Sequence, residues 1–161
     1  MGVHWVRGPQ SWVGGKSSEK ISEAVDKEWK KSKGPKNKFA VKLCNQLLKM
    51  GGTHVAIPFP EEDISELFFK KGKKFSPRQI IEKKDLLNDC HGNCGRLWLK
   101  KPKGNSLVTG YGLSTDGFWR RHTWLITTKN VLIETTLKRS IYFGAVLDDV
   151  LARSFSQFYT E

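Results

Sequence analysis

The spacing of hydrophobic positions changes near residue 105. Before it, apolar residues recur every three or four positions, as on one face of a helix. After it they crowd into short β-branched and aromatic stretches. In SSEKISEAVDKEWKK (17–31), Ile21, Val25 and Trp29 stand four apart, with Ser17 or Ser18 available as cap. In NKFAVKLCNQLLKMGG (37–52), Phe39, Leu43, Cys44, Leu47 and Leu48 share a face that stops at Gly51-Gly52. Short helices are predicted in DISELFFKK (63–71) and SPRQIIEKKDLL (76–87), the second opened by Ser76 and Pro77. THVAIPFP (53–60) is at most a short edge strand, since Pro58 and Pro60 cannot join a central ladder.

The later half predicts antiparallel strands in SLVTGYGLS (106–114), HTWLITT (122–128) and NVLIETT (130–136), each bounded by turn residues. The tail, DDVLARSFSQFYTE (148–161), returns to helical spacing with Val150, Leu151, Phe155 and Phe158. No internal repeat or second domain is visible. The expectation is one α+β domain over residues 1–161, with 1–16 a flexible or irregular N-terminal segment.

Composition narrows this picture. A chain of 161 residues can bury a core without disulfides or metals, and 38% hydrophobic with 27% charged residues reads as soluble and globular. No apolar run approaches the ~20 residues that span a bilayer, so no membrane partner is expected. The start, MGVHWVRGPQSW, lacks the apolar stretch of a secretory signal, and Val6 stands where myristoylation needs Ser or Thr. Three cysteines are too few, and odd in number, for a disulfide framework, so a reducing, cytoplasmic setting is expected. The net charge is +12, with lysines clustered in 26–38, 70–74 and 99–104. Such a surface can attract nucleic acid or acidic partners, or can simply be solvated. No helix-turn-helix, RNP or paired-cysteine finger accompanies it.

Candidate chemistry concentrates in NDCHGNCGRLW (88–98). Asp89 can cap a helix whose first turn begins at Cys90, with Leu97, Trp98 and Cys94 facing inward. A thiol there sits at the positive end of the backbone dipole, which favours the reactive thiolate. Cys44, on an apolar stripe, reads as a buried inert thiol. His91 is not expected to act as base for Cys90, because adjacent helical residues point about 100° apart. An activated cysteine needs an imidazole, and the imidazole needs a third group to orient it. His122, opening one strand, and Glu134, near the end of the next, supply both. His54 and His4 lack a following acid on a strand. Asn93 shares the helical face of Cys90 and could donate to the site or serve as a turn residue. Trp119 and Arg120, after the Thr115-Asp116-Gly117 turn, could with Arg121 rim a groove for acidic groups, and Trp124 lies beside His122. No cofactor is called for. Cys90, Cys94, His91 and His122 could alternatively bind zinc, and a third reading is a basic nucleic-acid- or partner-binding module with an inactive site.

A cysteine starting a helix, a histidine opening a strand and a polar residue on the adjacent strand resemble the papain-like fold group, including NlpC/P60 peptidases and transglutaminase-like proteins. CHGN, GYGLSTDGFWRRHTW and IETT also look like a pattern in poorly characterised bacterial and phage proteins of that kind, over roughly residues 88–144. The resemblance implies a nucleophile-bearing helix packed on an antiparallel sheet, with helices preceding it. It implies Cys90 as nucleophile, His122 as base and Glu134 as orienting acid, in a cysteine-dependent hydrolase or acyltransferase acting on a peptide or other amide or ester. An oxyanion site would use the Cys90 backbone N–H.

The hairpin loop decides whether this set can assemble. Side chains alternate faces along a strand. A two-residue turn at Lys129-Asn130 would oppose Leu125 to Glu134 and put His122 on the other face. A three-residue loop, Thr128-Lys129-Asn130, opposes Thr127 to Val131 and Trp124 to Glu134. His122 and Glu134 then become diagonal neighbours about 7–8 Å apart at the backbone. Asn130 tolerates the left-handed conformation such a loop needs, so an odd-length connection is expected.

Overall fold

The computed structural model describes residues 37–56 and 59–161, together with Val3 and Trp5. The helix predicted over 17–31 and, apart from those two residues, the segment 1–16 lie outside the described residues. Four helices are described: α1 (Lys38–Met50), α2 (Glu62–Lys71), α3 (Cys90–Lys100) and α4 (Asp149–Thr160). Seven strands form one sheet: β1 (His54–Val55), β2 (Lys73–Phe75), β3 (Gln79–Glu82), β4 (Asn105–Leu113), β5 (Phe118–Thr127), β6 (Val131–Glu134) and β7 (Ile141–Val146). The class is α+β, as the change of period predicts. Among the described residues, no helix is long and apolar enough to cross a membrane.

Helix positions follow local chemistry. Asn37 Oδ1 accepts from Ala40 N at 2.7 Å and starts α1, and Asp148 Oδ1 accepts from Leu151 N at 2.8 Å and starts α4. The buried face of α1 carries Ala40, Leu43, Cys44 and Leu47, with Phe39 and Leu48 at its margins. In α4 the stripe is rotated from the expected one. Ala152, Phe155, Ser156 and Tyr159 are buried, while Val150 is exposed. The reason is α3, whose Gly95 lies so close to α4 that a Cβ there would come within 3.1 Å of Ser156 Cα. Small residues at the crossing let the two helices approach.

The sheet runs β2-β7-β4-β5-β6-β3, curled and mixed rather than purely antiparallel. β7, β4, β5 and β6 are antiparallel neighbours, but β3 joins β6 in parallel and β1 joins β5 in parallel. β3 corrects the helix predicted over 76–87. Ile80 and Ile81 form a β-branched pair that periodicity alone cannot assign. Pairing with Leu132 and Ile133 on β6 turns them into an edge strand. Two short strands, β2 and β7, have no counterpart among the sequence-based expectations.

The two faces of the sheet bury different sets. Leu107, Tyr111, Leu113, Trp119, Leu125, Ile133, Phe143 and Ala145 pack against the helices. Phe75, Val108, Trp124, Leu132 and Tyr142 form a separate cluster on the other face. Alternation sends odd-numbered residues of β5 to the helices and even-numbered ones, His122 included, to the second cluster.

The β5–β6 connection has the three-residue register. Leu125 opposes Ile133 and Ile126 opposes Leu132, the register in which Trp124 and Glu134 are counterparts just beyond the paired residues. Asn130 has φ 59° and bonds Ser76 O through Nδ2 at 3.2 Å. Replacing Asn130 by valine, whose branched Cβ suits this conformation poorly, is expected to cost about 1–2 kcal/mol in urea unfolding, and glycine less. Equal stabilities for the two variants would show that the loop conformation is not under this constraint.

Candidate active site

The start of α3 is built by Asp89. Its Oδ1 accepts from Gly92 N at 3.2 Å and its backbone carbonyl from Asn93 N at 2.8 Å. A Cβ at position 92 would lie 2.4 Å from Asp89 Oδ2, so only glycine leaves room for this cap. Arg96 Nη2 ties the turn together, reaching Asn93 Oδ1 at 2.6 Å and Asp89 Oδ2 at 3.3 Å. The amides of Cys90 and His91 precede the first intrahelical bond and present the positive end of the helix.

Below this turn the ladder between β5 and β6 stops at Leu125 and Ile133. Cys94 occupies the opening, its Sγ–H donating to Thr123 O at 3.4 Å with Thr135 Oγ1 at 3.8 Å. Burial and the neighbouring Cys90 push the Cys94 thiol well above its ordinary value. It is a structural plug, as its inward position suggests. The same opening lets Cys90 reach His122, which lies on the opposite face of the sheet from the bulk of the helices.

Glu134 is fully buried and accepts four hydrogen bonds. Oε1 takes Thr136 N at 3.0 Å and Thr136 Oγ1 at 3.3 Å; Oε2 takes Tyr142 Oη at 2.8 Å and His122 Nε2 at 2.7 Å. Tyr142 Oη itself accepts from Arg139 N at 3.0 Å, which directs its proton to Glu134. Surrounded by donors, the carboxylate is ionised and His122 Nε2 carries a proton. Burial raises the Glu134 carboxyl, but the bonds from His122, Thr136 and Tyr142 hold it below its ordinary value.

His122 Nδ1 is buried and has no hydrogen-bond partner. The ring is packed among Trp124 and Tyr142, with centroids 5.9 Å away in each case. Burial alone would lower its pKa, but interaction with Cys90 and Glu134 raises it above the ordinary value. Burial likewise pushes the Cys90 thiol up, and the imidazoles of His122 and of His91, the latter hydrogen-bonded to the sulfur, overcome this and hold it well below its ordinary value. Cys44, by contrast, is buried in the core and pushed up to about 12.

Cys90, His122, Glu134 and Trp124 thus come together. The other expected site residues do not join them. Asn93 is buried, donating to Leu86 O at 2.8 Å and accepting from Arg96, so it is spent on the turn. Trp119 faces the helices and donates to Gly51 O at 2.9 Å. Arg120 shares the face of His122 but both its Nη atoms bond Asp116, at 2.9 and 2.7 Å. Arg121 lies over the Phe68 ring at 4.8 Å. His54 stands at the far end of β5, opposite Phe118, and His4 lies outside the described residues. Among the described residues, no group of three or more His, Cys, Asp or Glu side chains is arranged to hold a metal ion.

Three contributors escaped the sequence reading. Tyr142 and Thr136 complete the shell of Glu134, and only β7 and the bend after β6 bring them there. The third is His91. Its ring turns back so that Nδ1 is 3.8 Å from Cys90 Sγ, despite the divergence of adjacent helical side chains, because Thr123 Oγ1 holds it at 2.6 Å. No family model, curated protein or solved structure matches this chain.

Brief iodoacetamide treatment at neutral pH, followed by peptide mass spectrometry, should modify Cys90 first and leave Cys94 and Cys44 intact, since only the thiolate reacts. Modification of Cys44 or Cys94 ahead of Cys90 would contradict the electrostatic description. The His122–Glu134 pair also imposes a pH window on stability. Glu134 is lowered from 4.5, so its contribution is present above that value and lost as pH falls through the lower folded value. His122 is raised from 6.5, so its contribution is complete below that value and lost as pH rises through the higher folded value. Glu134→Gln should therefore cost most between these limits, about 3 kcal/mol. Chemical unfolding across pH would expose a flat difference as evidence against the pair.

Proposed function

We propose that this protein is a papain-like cysteine-dependent hydrolase or acyltransferase acting on an amide or ester bond. The observation that carries this reading is the 2.7 Å contact between His122 Nε2 and the buried Glu134 carboxylate. Three other donors around Glu134, Thr136 N, Thr136 Oγ1 and Tyr142 Oη, keep it ionised, so Nε2 donates to it as well. The nitrogen left with a lone pair is Nδ1, and Cys90 interacts with the same ring. A helix start, a thiol, an imidazole and a buried carboxylate in this relation are the parts of nucleophilic acyl transfer.

In this mechanism His122 Nδ1 takes the thiol proton and Cys90 Sγ attacks the carbonyl carbon. The oxyanion that forms faces the N–H groups of Cys90 and His91 at the start of α3, where the helix dipole favours negative charge. The imidazolium then returns its proton to the leaving amine or alcohol as the bond breaks, leaving a thioester. Water gives hydrolysis and another nucleophile gives transfer, each surrendering a proton to His122 as the thiolate departs. Glu134 remains ionised and keeps the ring oriented.

The substrate reading is a peptide or other amide-containing molecule. Leu86, Leu87 and Leu137 are exposed on the segments that carry Cys90 and Glu134, joined by Asp85 N to Thr135 O at 3.1 Å, and they offer apolar contact beside the thiol. The basic surface would favour acidic substrates or nucleic acid by long-range attraction. A reducing, cytoplasmic setting suits three free cysteines.

An acyl-directed probe, such as a peptide vinyl sulfone or chloromethyl ketone, should label Cys90 in the wild type. Labelling should vanish in Cys90→Ala and fall at least roughly 100-fold in His122→Ala, with a smaller loss in Glu134→Gln. Labelling of His122→Ala at the wild-type rate would reject the proposed role of this histidine.

A further inference from the structure

Cys90 lies between two imidazoles held by different partners. His122 answers to a carboxylate. His91 answers to a chain of hydroxyls running into the sheet. His91 Nδ1 is 2.6 Å from Thr123 Oγ1, Thr123 Oγ1 is 2.9 Å from Thr109 Oγ1, and Thr109 Oγ1 donates to His122 O at 3.5 Å. Each threonine has one hydroxyl proton. Thr109 directs its own to the His122 carbonyl, so the bond between the threonines uses the proton of Thr123. Thr123 must then accept from His91, which places a proton on His91 Nδ1.

That nitrogen is also 3.8 Å from Cys90 Sγ. The two rings therefore offer the sulfur opposite things, His122 a lone pair and His91 an N–H. The His91 ring is braced on its far side by Phe155, 5.6 Å away and edge-on, and by Tyr159 at 4.7 Å. It is buried among described residues of α3, α4 and β5.

We propose that His91 is a positioning residue of the thiol centre. Its one Nδ1 hydrogen is shared, with Thr123 Oγ1 at 2.6 Å as the near acceptor and the Cys90 thiolate at 3.8 Å as the far one, while Thr123 and Thr109 hold the ring in the tautomer and rotamer this requires. His122 moves the proton; His91 holds the anion that results. The inference rests on Cys90 being the nucleophile. It adds that the resting thiolate is shared between two donors, so that it also departs more readily from a thioester.

Several other groups bear on the sulfur. On α3 itself these are Asp89, salt-bridged to Arg96, and Cys94, whose thiol is retained. Across from it stand His122 on β5, Glu134 on β6, and Tyr142 on β7 bonded to Glu134. Tyr159 on α4 faces His91. Variants at His91 and Thr123 leave all of these in place.

The test is the alkylation rate of Cys90 against pH, read by residue-resolved mass spectrometry on the full chain. His91→Phe keeps the ring packing and removes the donor. It should raise the midpoint by about one pH unit and slow alkylation at pH 6 roughly tenfold. His91→Asn, whose amide N–H can occupy the place of Nδ1, should stay near the wild-type midpoint. Thr123→Val should move it in the same direction as His91→Phe but less far. A His91→Phe midpoint equal to the wild-type value would overturn the inference and leave the ring a packing element. Should that variant fail to fold by circular dichroism, Thr123→Val decides: an upward midpoint supports the donor role and an unchanged one overturns it. A wild-type midpoint at the ordinary thiol value would instead remove the proposed nucleophile. A low wild-type midpoint that depends on His122 but not on His91 removes this inference alone.

Discussion

The candidate site is built around one buried carboxylate. Glu134 is excluded from water and accepts from Thr136 twice, from Tyr142 and from His122. A lone charge in such a place would cost many kcal/mol, and four donors make it tolerable. Those donors come from β5, from β7 and from the bend after β6, so the carboxylate also pins the edge of the sheet to its centre. Among the described residues, Glu134 makes the hydrogen bond that orients the His122 ring. With Nε2 committed to the acid, the ring has a defined tautomer, and its second nitrogen is the only part free for chemistry.

A second constraint is the gap between β5 and β6. Continuous pairing would seal the sheet and isolate Cys90, on the helical side, from His122 on the other. Instead the ladder ends at Leu125 and Ile133, and Cys94 fills the space with a thiol bonded to the Thr123 carbonyl. Cys94 is small enough to fit there and polar enough to satisfy the backbone group left unpaired. The helix start can then touch both faces at once. One side of the sulfur meets the Glu134-bound imidazole and the other meets the imidazole held by hydroxyls. The two cysteines of the same helix acquire opposite characters one turn apart, because the imidazoles of His91 and His122 favour one thiolate, while burial and the neighbouring Cys90 disfavour the other.

Close packing of α3 on α4 supports this arrangement. Gly92 makes room for the Asp89 cap, and Gly95 for the backbone of α4. Both glycines weaken an isolated helix by roughly 1 kcal/mol each. Burial of Trp98, Phe155 and Tyr159 at the same interface offsets that loss. Helix propensity is given up where the chain must approach itself closely, and that is also where the thiol is presented.

Much of this was legible in the residues. The helical and strand halves differ in period, Asp89 and the glycines mark a helix start at Cys90, and Asn130 marks a loop of odd length. Together these place His122 and Glu134 on one face without any coordinates, because strand alternation is strict. Other features depended on contacts between segments remote in the chain. Residues 79–82 became a strand only because β6 offers an unpaired edge, and α4 turned its face toward Gly95 rather than along its longest apolar stripe. Arg120 and Asn93 looked available in the sequence, yet the Nη atoms of Arg120 are taken by Asp116 and the Asn93 amide by Leu86 and Arg96. His91 shows the limit most clearly. Backbone geometry turns neighbouring helical side chains apart, and the sequence by itself could say no more than that. A hydroxyl at Thr123, brought in by the sheet, pulls the ring back to the sulfur. Periodicity and capping are local and written in adjacent residues, whereas the partner of a rotatable side chain is decided by whatever the tertiary structure sets beside it.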